Sequence, residues 1–284
     1  MITAGAMAKT LAEAGIRKVF GLPGGEVLVL IDELRRAGID FVLMRHEANA
    51  GIAAAVYGKL TRQPGVVIAT LGPGAANLLL PVANAYLDQE PLLAITAQIP
   101  DDFPASHTHQ LLPLHDTFRP MCRFVEKVTQ ANAGEAVAQA LAACMDRPYG
   151  VSYLTLSARE AVKPLLAIGR KWNEVAPTRP MANPAARAAD LRARCAMAER
   201  PLVLIGLGVD TRRGPALRQW LDGWQLPFAV TPKVKGIVDE TSPNFVGVIS
   251  GMAADGIMVD ALNAADLLIG FGLDPVEIDK TWHA

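Results

Sequence analysis

Short apolar runs alternate with longer amphipathic stretches along this 284-residue chain. The runs at 18–21, 40–44, 66–71, 92–96 and 151–156 are rich in Val, Ile and Leu and too short for helices, so they predict strands. Between them, 26–37, 47–61, 75–87 and 134–145 carry helical patterns. Residues 1–15 predict an amphipathic helix, with Leu11 and Ala14 on one face and Lys9 and Glu13 elsewhere. Such strand-helix alternation predicts a doubly wound α/β fold, a parallel sheet covered on both faces. The pattern breaks over 163–184, where Pro164, Pro177, Pro180 and Pro184, with charges between them, predict a linker. It then resumes: helix 185–198, strand 202–206, helix 214–224, strand 228–231, helix 256–264, strand 267–270. No internal repeat occurs at solenoid periods.

Composition turns this pattern into a domain count. The chain is 51% hydrophobic and 19% charged, enough to bury a sizeable core. Two domains are expected, 1–162 and 185–284, joined by the linker 163–184. A net charge of −1 gives no reason to expect nucleic acid or an anionic membrane as partner. Cys122, Cys144 and Cys195 lack metal-ligand spacing and read as reduced thiols of a cytoplasmic protein. The N-terminal residues lack the charged start and apolar run of a signal peptide, and no apolar stretch is long enough to span a bilayer.

Candidate chemistry sits in three loops, each placed by the pattern at the C-terminal end of a parallel strand, where open α/β sheets bind ligands. The first is Gly21-Leu22-Pro23-Gly24-Gly25. The second is Arg45-His46-Glu47-Ala48-Asn49-Ala50-Gly51, which opens a helix built almost wholly of small apolar residues. The third is Gly72-Pro73-Gly74-Ala75-Ala76-Asn77, where glycines allow a tight turn and close approach to a ligand. Glu47 admits two readings. It can complement the dipole of the helix it starts. Alternatively, a dry wall of small residues disfavours a charged carboxylate, and a carboxylic acid kept neutral can donate a hydrogen bond.

Three segments carry a resemblance in order and spacing: FGLPGG, then RHEANAGIAAAVYGKLT, then GVVIATLGPGAANLLLPVANAYLDQEPLLAITAQIP. With them, residues 1 to about 160 resemble the pyrimidine-binding (PYR) domain of thiamine-diphosphate enzymes, in the acetolactate synthase-like group. PLVLIGLGV, VTPKVKGIVDE and ADLLIGFGLDPVEID make 185–284 similar to the central domain of that family, Rossmann-like and here cut short. The resemblance implies a decarboxylase or carboligase acting on a 2-oxo acid such as pyruvate. It implies that Glu47 hydrogen-bonds N1′ of the cofactor's aminopyrimidine ring and favours its imino tautomer. Gly72, Pro73, Gly74 and Asn77 then lie against the pyrimidine, and Pro23, Gly24 and Gly25 line the substrate side. Thr108-His109-Gln110 matches a segment near the reacting centre, which places His109 and Gln110 beside substrate or cofactor. A site shared between chains further implies a homodimer or homotetramer.

The remaining signals limit this picture. His107, His109 and His115 cluster in sequence, but no carboxylate or Cys completes a ligand set, so a solvated loop is expected and no metal site. Gly206-Leu207-Gly208 follows a predicted strand, but Thr211 stands where a dinucleotide fingerprint needs its third glycine. Gly272-Leu273-Asp274-Pro275-Val276-Glu277 replaces the arginine-containing segment of FAD-dependent synthases, so by resemblance FAD is not expected. The family binds the diphosphate through Mg²⁺ on a Gly-Asp-Gly segment, which these residues do not contain; Asp255-Gly256 is preceded by Ala254. The chain is therefore expected to be a fragment or one piece of a split enzyme, inactive without a diphosphate-binding domain or a separate subunit that carries one. The alternative is a non-catalytic interaction or nucleotide-binding module that retains the fold. The retained Glu47, Gly-Pro-Gly and Asn77 favour the enzyme.

Overall fold

The computed structural model describes residues 1–104, 109–166, 184–250, 256–274 and 277. His107, Thr108, Ala254, Asp255, Pro275, Val276 and linker positions 167–183 lie outside the described residues. The chain divides into two compact units, Met1–Arg179 and Pro180–Ala284.

The first unit runs α1 (Thr3–Glu13), β1 (Lys18–Gly21), α2 (Leu28–Arg36), β2 (Asp40–Leu43), α3 (Glu47–Thr61), β3 (Gly65–Ala69), α4 (Pro73–Ala76), α5 (Leu79–Leu87) and β4 (Leu92–Ala97). It continues with α6 (Leu114–Phe118), β5 (Phe124–Val128), α7 (Ala133–Met145), β6 (Val151–Leu156) and α8 (Ala158–Ala161). The strands form one six-stranded sheet in the order β2-β1-β3-β4-β6-β5. Every pairing in it is parallel.

Alternate residues of each central strand feed two cores. Val66, Ile68, Leu93, Ile95 and Leu154 pack with Met7 and Leu11 of α1, Leu30 and Leu34 of α2, and Leu141 of α7. Val67, Ala69, Leu92, Ala94 and Tyr153 pack on the other face with Ala50 and Ala54 of α3, Val82 and Ala85 of α5, and Phe118 of α6. Because both faces are covered, β3, β4 and β6 are buried at every position, which is why they read as largely apolar runs, with Thr96, Ser152 and Thr155 as polar exceptions. The unit is thus doubly wound, with a switch point between β1 and β3.

The small residues of α3 have a direct structural use. A Cβ on Gly51 would stand 2.5 Å from Cγ of Pro81 in α5, and Gly58 lies against the backbone of Gly65 at the start of β3. Gly65 in turn presses on the backbone of Ala54. The helix rests on its neighbours with almost no side-chain spacer between them.

Several boundaries differ from expectation for identifiable reasons. The helix predicted at 75–87 is broken into α4 and α5. Pro81 has no N–H to give the carbonyl of Asn77, so a continuous helix through Asn77 and Leu78 would lose that bond. The stretch 26–37 begins as a 3₁₀ turn, Gly25–Val27, before α2. β5 carries Glu126 and Lys127 inside a half-buried edge strand, and its mixed pattern hid it. At the start of the predicted linker, Lys163, Leu165 and Leu166 are tied to Thr3, Met1 and Gln130 through backbone hydrogen bonds.

The second unit comprises α9 (Pro184–Met197), β7 (Pro201–Ile205), α10 (Gly214–Trp224), β8 (Phe228–Val230), β9 (Phe245–Val248), α11 (Gly256–Ala264) and β10 (Leu267–Phe271). Its four-stranded parallel sheet has the order β10-β7-β8-β9. Cys195 of α9 and Leu217 and Leu221 of α10 cover one face; Met258 of α11 covers the other. β9, with Gly247 inside it and a register shift against β8, is the second strand the pattern did not reveal. Among the described residues no helix is long and apolar enough to cross a membrane.

All three cysteines are free thiols. Burial pushes the Cys144 thiol up to about 12, and its Sγ donates to the carbonyl of Leu92 at 3.1 Å. Reactivity needs the thiolate, so Cys144 should escape iodoacetamide in the native protein at pH 8 and react only after unfolding. Mass spectrometry of the labelled native protein checks this; rapid native labelling of Cys144 would contradict the packing described.

Candidate functional site

The parallel register places three loops side by side, because β2, β1 and β3 are neighbours and all end on one edge of the sheet. Leu22–Glu26 follows β1, Arg45 and His46 follow β2, and Leu71–Gly72 follow β3. The crevice between β1 and β3 is the switch point of this topology, where open α/β sheets take their ligands.

Glu47 opens α3, but it does not cap it. His46 is the N-cap, and its Nδ1 accepts from the backbone N–H of Ala48 at 3.1 Å. This leaves the Glu47 side chain for another partner. Its relative exposure is 5%, and Nδ2 of Asn77 donates to its Oε2 at 2.9 Å. The other oxygen, Oε1, faces Gly74, where a Cβ would stand 3.2 Å away. Oε1 has no hydrogen-bond partner among the described residues. A buried carboxyl oxygen without a partner is costly, and it invites a ligand group that shares a proton with it.

The third loop owes its shape to Gly72, whose φ of 57° with ψ of −120° is hard for a side chain to adopt. A Cβ there would also meet Cβ of Gln110 at 2.7 Å. The fold therefore brings Gln110 against this loop, although both it and His109 are exposed. Pro73 is the first residue of α4, where its missing N–H costs nothing. Gly24 lies on the side chain of Thr70, while Gly25 has open space around its Cα and Pro23 is exposed. The expected residues Glu47, Gly72, Gly74, Asn77, Gly24 and Gln110 thus converge. His109, Pro23 and Gly25 stand at the exposed rim.

Two residues of this cluster were not anticipated. Oγ1 of Thr70 donates to Oε2 of Glu26 at 2.6 Å, joining the first loop to the third. Thr70 also touches both Gly24 and Gly74. The available signal was a carboxylate, Glu26, at the start of a predicted helix and directly after Gly24 and Gly25.

The histidine cluster needs correction. His115 does not lie in a solvated loop: it belongs to α6, and its Nε2 is 2.8 Å from Oγ1 of Thr155. Burial, with Arg119 nearby, holds His115 below its usual 6.5. Beneath it, Oγ1 of Thr96 and the hydroxyl of Tyr153 share a buried hydrogen bond of 2.6 Å, and burial drives the Tyr153 phenol upward. Among the described residues no group of His, Cys, Asp or Glu is placed to hold a metal ion.

Two outcomes follow from these contacts. Asn77→Ala strands a buried Glu47 oxygen and should cost about 1–3 kcal/mol in urea unfolding. Asn77→Asp, which sets carboxylate against carboxylate, should cost more. For His115 the folded state favours the neutral ring, so the stability it contributes is present above pH 6.5 and is lost as pH falls through the lowered folded value. The urea midpoint should therefore drop between pH 7 and pH 5.5 more for wild type than for His115→Gln.

Comparison with known proteins gives the family. Residues 1–118 match the model for the thiamine pyrophosphate enzyme N-terminal TPP binding domain, and 188–283 match that for the central domain. An acetolactate synthase of Bacillus subtilis is 30% identical over 282 residues, covering 96% of this chain and 48% of its own length. The acetolactate synthase isozyme 2 large subunit of Escherichia coli is 32% identical over 274 residues, 92% of this chain and 47% of its own length. A 2-hydroxyacyl-CoA lyase of Oryza sativa is 31% identical over 281 residues, 94% and 47% respectively. The chain spans about half the length of these curated relatives. Two models of one family match successive parts of the chain, and the relatives are similar along nearly all of it: the chain belongs to the thiamine pyrophosphate enzyme family, in its acetolactate synthase-like group.

Proposed function

We propose that this chain supplies the pyrimidine side of a thiamine diphosphate site in a 2-oxo acid decarboxylase or carboligase, with pyruvate as the default donor. The observation that carries this reading is the buried Glu47, one oxygen held by Asn77 and the other turned toward Gly74, without a partner among the described residues. That arrangement fits a heteroaromatic nitrogen that exchanges a proton with the acid.

Each residue then has a physical task. Glu47 holds or releases a proton at ring N1′ through Oε1. Asn77 fixes the carboxyl orientation through Oε2. Gly74 keeps a side chain out of the space in front of Oε1, and Gly72 lets Gln110 lie against the same loop. Gln110, against Gly72, offers an amide to the substrate or cofactor, and His109, Pro23, Gly24 and Gly25 border the substrate side. Bound there, thiamine diphosphate supplies the carbon nucleophile and the electron sink that 2-oxo acid decarboxylation needs. Mg²⁺ and the diphosphate are assigned to residues outside this sequence, on a further domain or a separate subunit. On this reading the assembly is a cytoplasmic homodimer or homotetramer, and it carries no FAD.

The test uses the protein isolated from its source, together with any subunit that co-purifies. Glu47→Gln should lower pyruvate turnover with thiamine diphosphate and Mg²⁺ by about 10²–10⁴-fold, since an amide cannot exchange the acid's proton. A loss below about tenfold would remove Glu47 from this role. Failure of the wild-type assembly to turn over any 2-oxo acid would instead favour a non-catalytic module that keeps the fold.

A further inference from the structure

The second unit contains a loop of the kind that binds nucleotide phosphates, Gly206-Leu207-Gly208, directly after β7. Such loops work as anion sites because successive backbone N–H groups point into open space. Here each N–H has an internal acceptor. Gly206 donates to the carbonyl of Phe271 at 2.9 Å, Gly208 to that of Gly272 at 2.8 Å, and Val209 to that of Gly206 at 3.1 Å. Leu207 donates to a carboxylate, Oε2 of Glu277, at 2.8 Å.

Glu277 is held at that spot from several sides. Oγ1 of Thr231, a fully buried residue at the end of β8, donates to its Oε1 at 2.5 Å. The backbone N–H of Asp274 donates to Oε2 at 3.3 Å. A side chain on Gly206 would run into Oε2 and into Cα of Leu273, 2.7 Å away, so glycine is needed here to admit the chain's own loop. The 3₁₀ turn that follows, Thr211–Arg213, is capped by Asp210, which accepts from the N–H of Arg212 at 3.1 Å and is ion-paired with the Arg212 guanidinium.

We propose that Glu277 is a built-in anion that occupies the glycine loop after β7 and closes it to nucleotide phosphates, so that the second unit takes neither FAD nor any other phosphate-bearing nucleotide. A phosphate entering the loop would have to displace the carboxylate and leave Thr231 and Leu207 to re-pair. The reading concerns the second unit alone and stands whether or not the first serves thiamine diphosphate.

The experiment uses the full chain and reads binding and thermal unfolding, not turnover. Three of the four tryptophans, Trp220, Trp224 and Trp282, belong to the second unit, so tryptophan emission reports chiefly on that unit. Equilibrium dialysis of the wild type against FAD and against ADP should show no binding up to about 1 mM, a threshold that ordinary cofactor affinity exceeds easily. Glu277→Ala should lower the emission-monitored melting temperature by about 5 °C or more. Inorganic phosphate should raise the melting temperature of Glu277→Ala more than that of wild type, because the vacated anion seat is refilled. Glu277→Gln, which keeps an acceptor for Leu207, should melt between the two and remains measurable if the alanine variant does not fold. Stoichiometric FAD or ADP binding by wild type, wild-type melting of both variants, or equal phosphate shifts in Glu277→Ala and wild type would overturn the proposal.

Discussion

The close seating of α3 governs the first unit. Gly51 meets Pro81, and Gly58 and Ala54 meet Gly65, so this helix touches α5 and β3 with glycine on one side of each contact. A larger residue at any of these positions would lift the helix by part of a side-chain width. Its first residue, Glu47, would then move away from Asn77 and Gly74, whose positions depend on β3 and α4. The run of small residues is thus less a wall for a ligand than the means of setting the helix height. The ligand-facing geometry at its N-terminus follows from that height.

The two units use one architectural device in opposite ways. In each, a glycine-bearing loop follows a parallel strand, and a carboxylate approaches it. In the first, Glu47 reaches Gly74 with one oxygen lacking a partner among the described residues, so the site is left polar and unsatisfied. In the second, Glu277 finds Leu207, Thr231 and Asp274, so the polar groups satisfy one another. By the accounting that buried polar groups obey, the first arrangement asks for a ligand and the second does not. Shared membership in a fold class says nothing about which outcome a given loop has; the acceptor inventory does.

Much of this was legible in the sequence. Fully buried strands such as β4 and β6 declare themselves as apolar runs, and the Gly-Pro-Gly turn and Glu47 stand out because their chemistry is local. What escaped depends on contacts between distant residues. β5 and β9 lie at sheet edges, where half-burial mixes polar with apolar positions. The break between α4 and α5 was encoded by Pro81, but the alanines and leucines around it read as one helix. That His46, and not Glu47, caps α3 depends on the ring orientation, and the bond of Thr70 to Glu26 spans 44 positions. The grip of Thr231 on Glu277 spans 46, beyond any spacing rule.

The charged edge of the six-stranded sheet has a consequence for colloidal behaviour. An open parallel sheet ends in two strands with unpaired backbone groups, which can recruit a strand from another molecule. Here one edge, β5, carries Glu126 and Lys127, the latter paired with Asp101. The other, β2, begins with Asp40, which pairs with Lys18. An incoming strand would have to desolvate these charges before its first hydrogen bond formed. The residues that made the edge hard to read as a strand are the ones that keep it from acting as a template for fibrous growth.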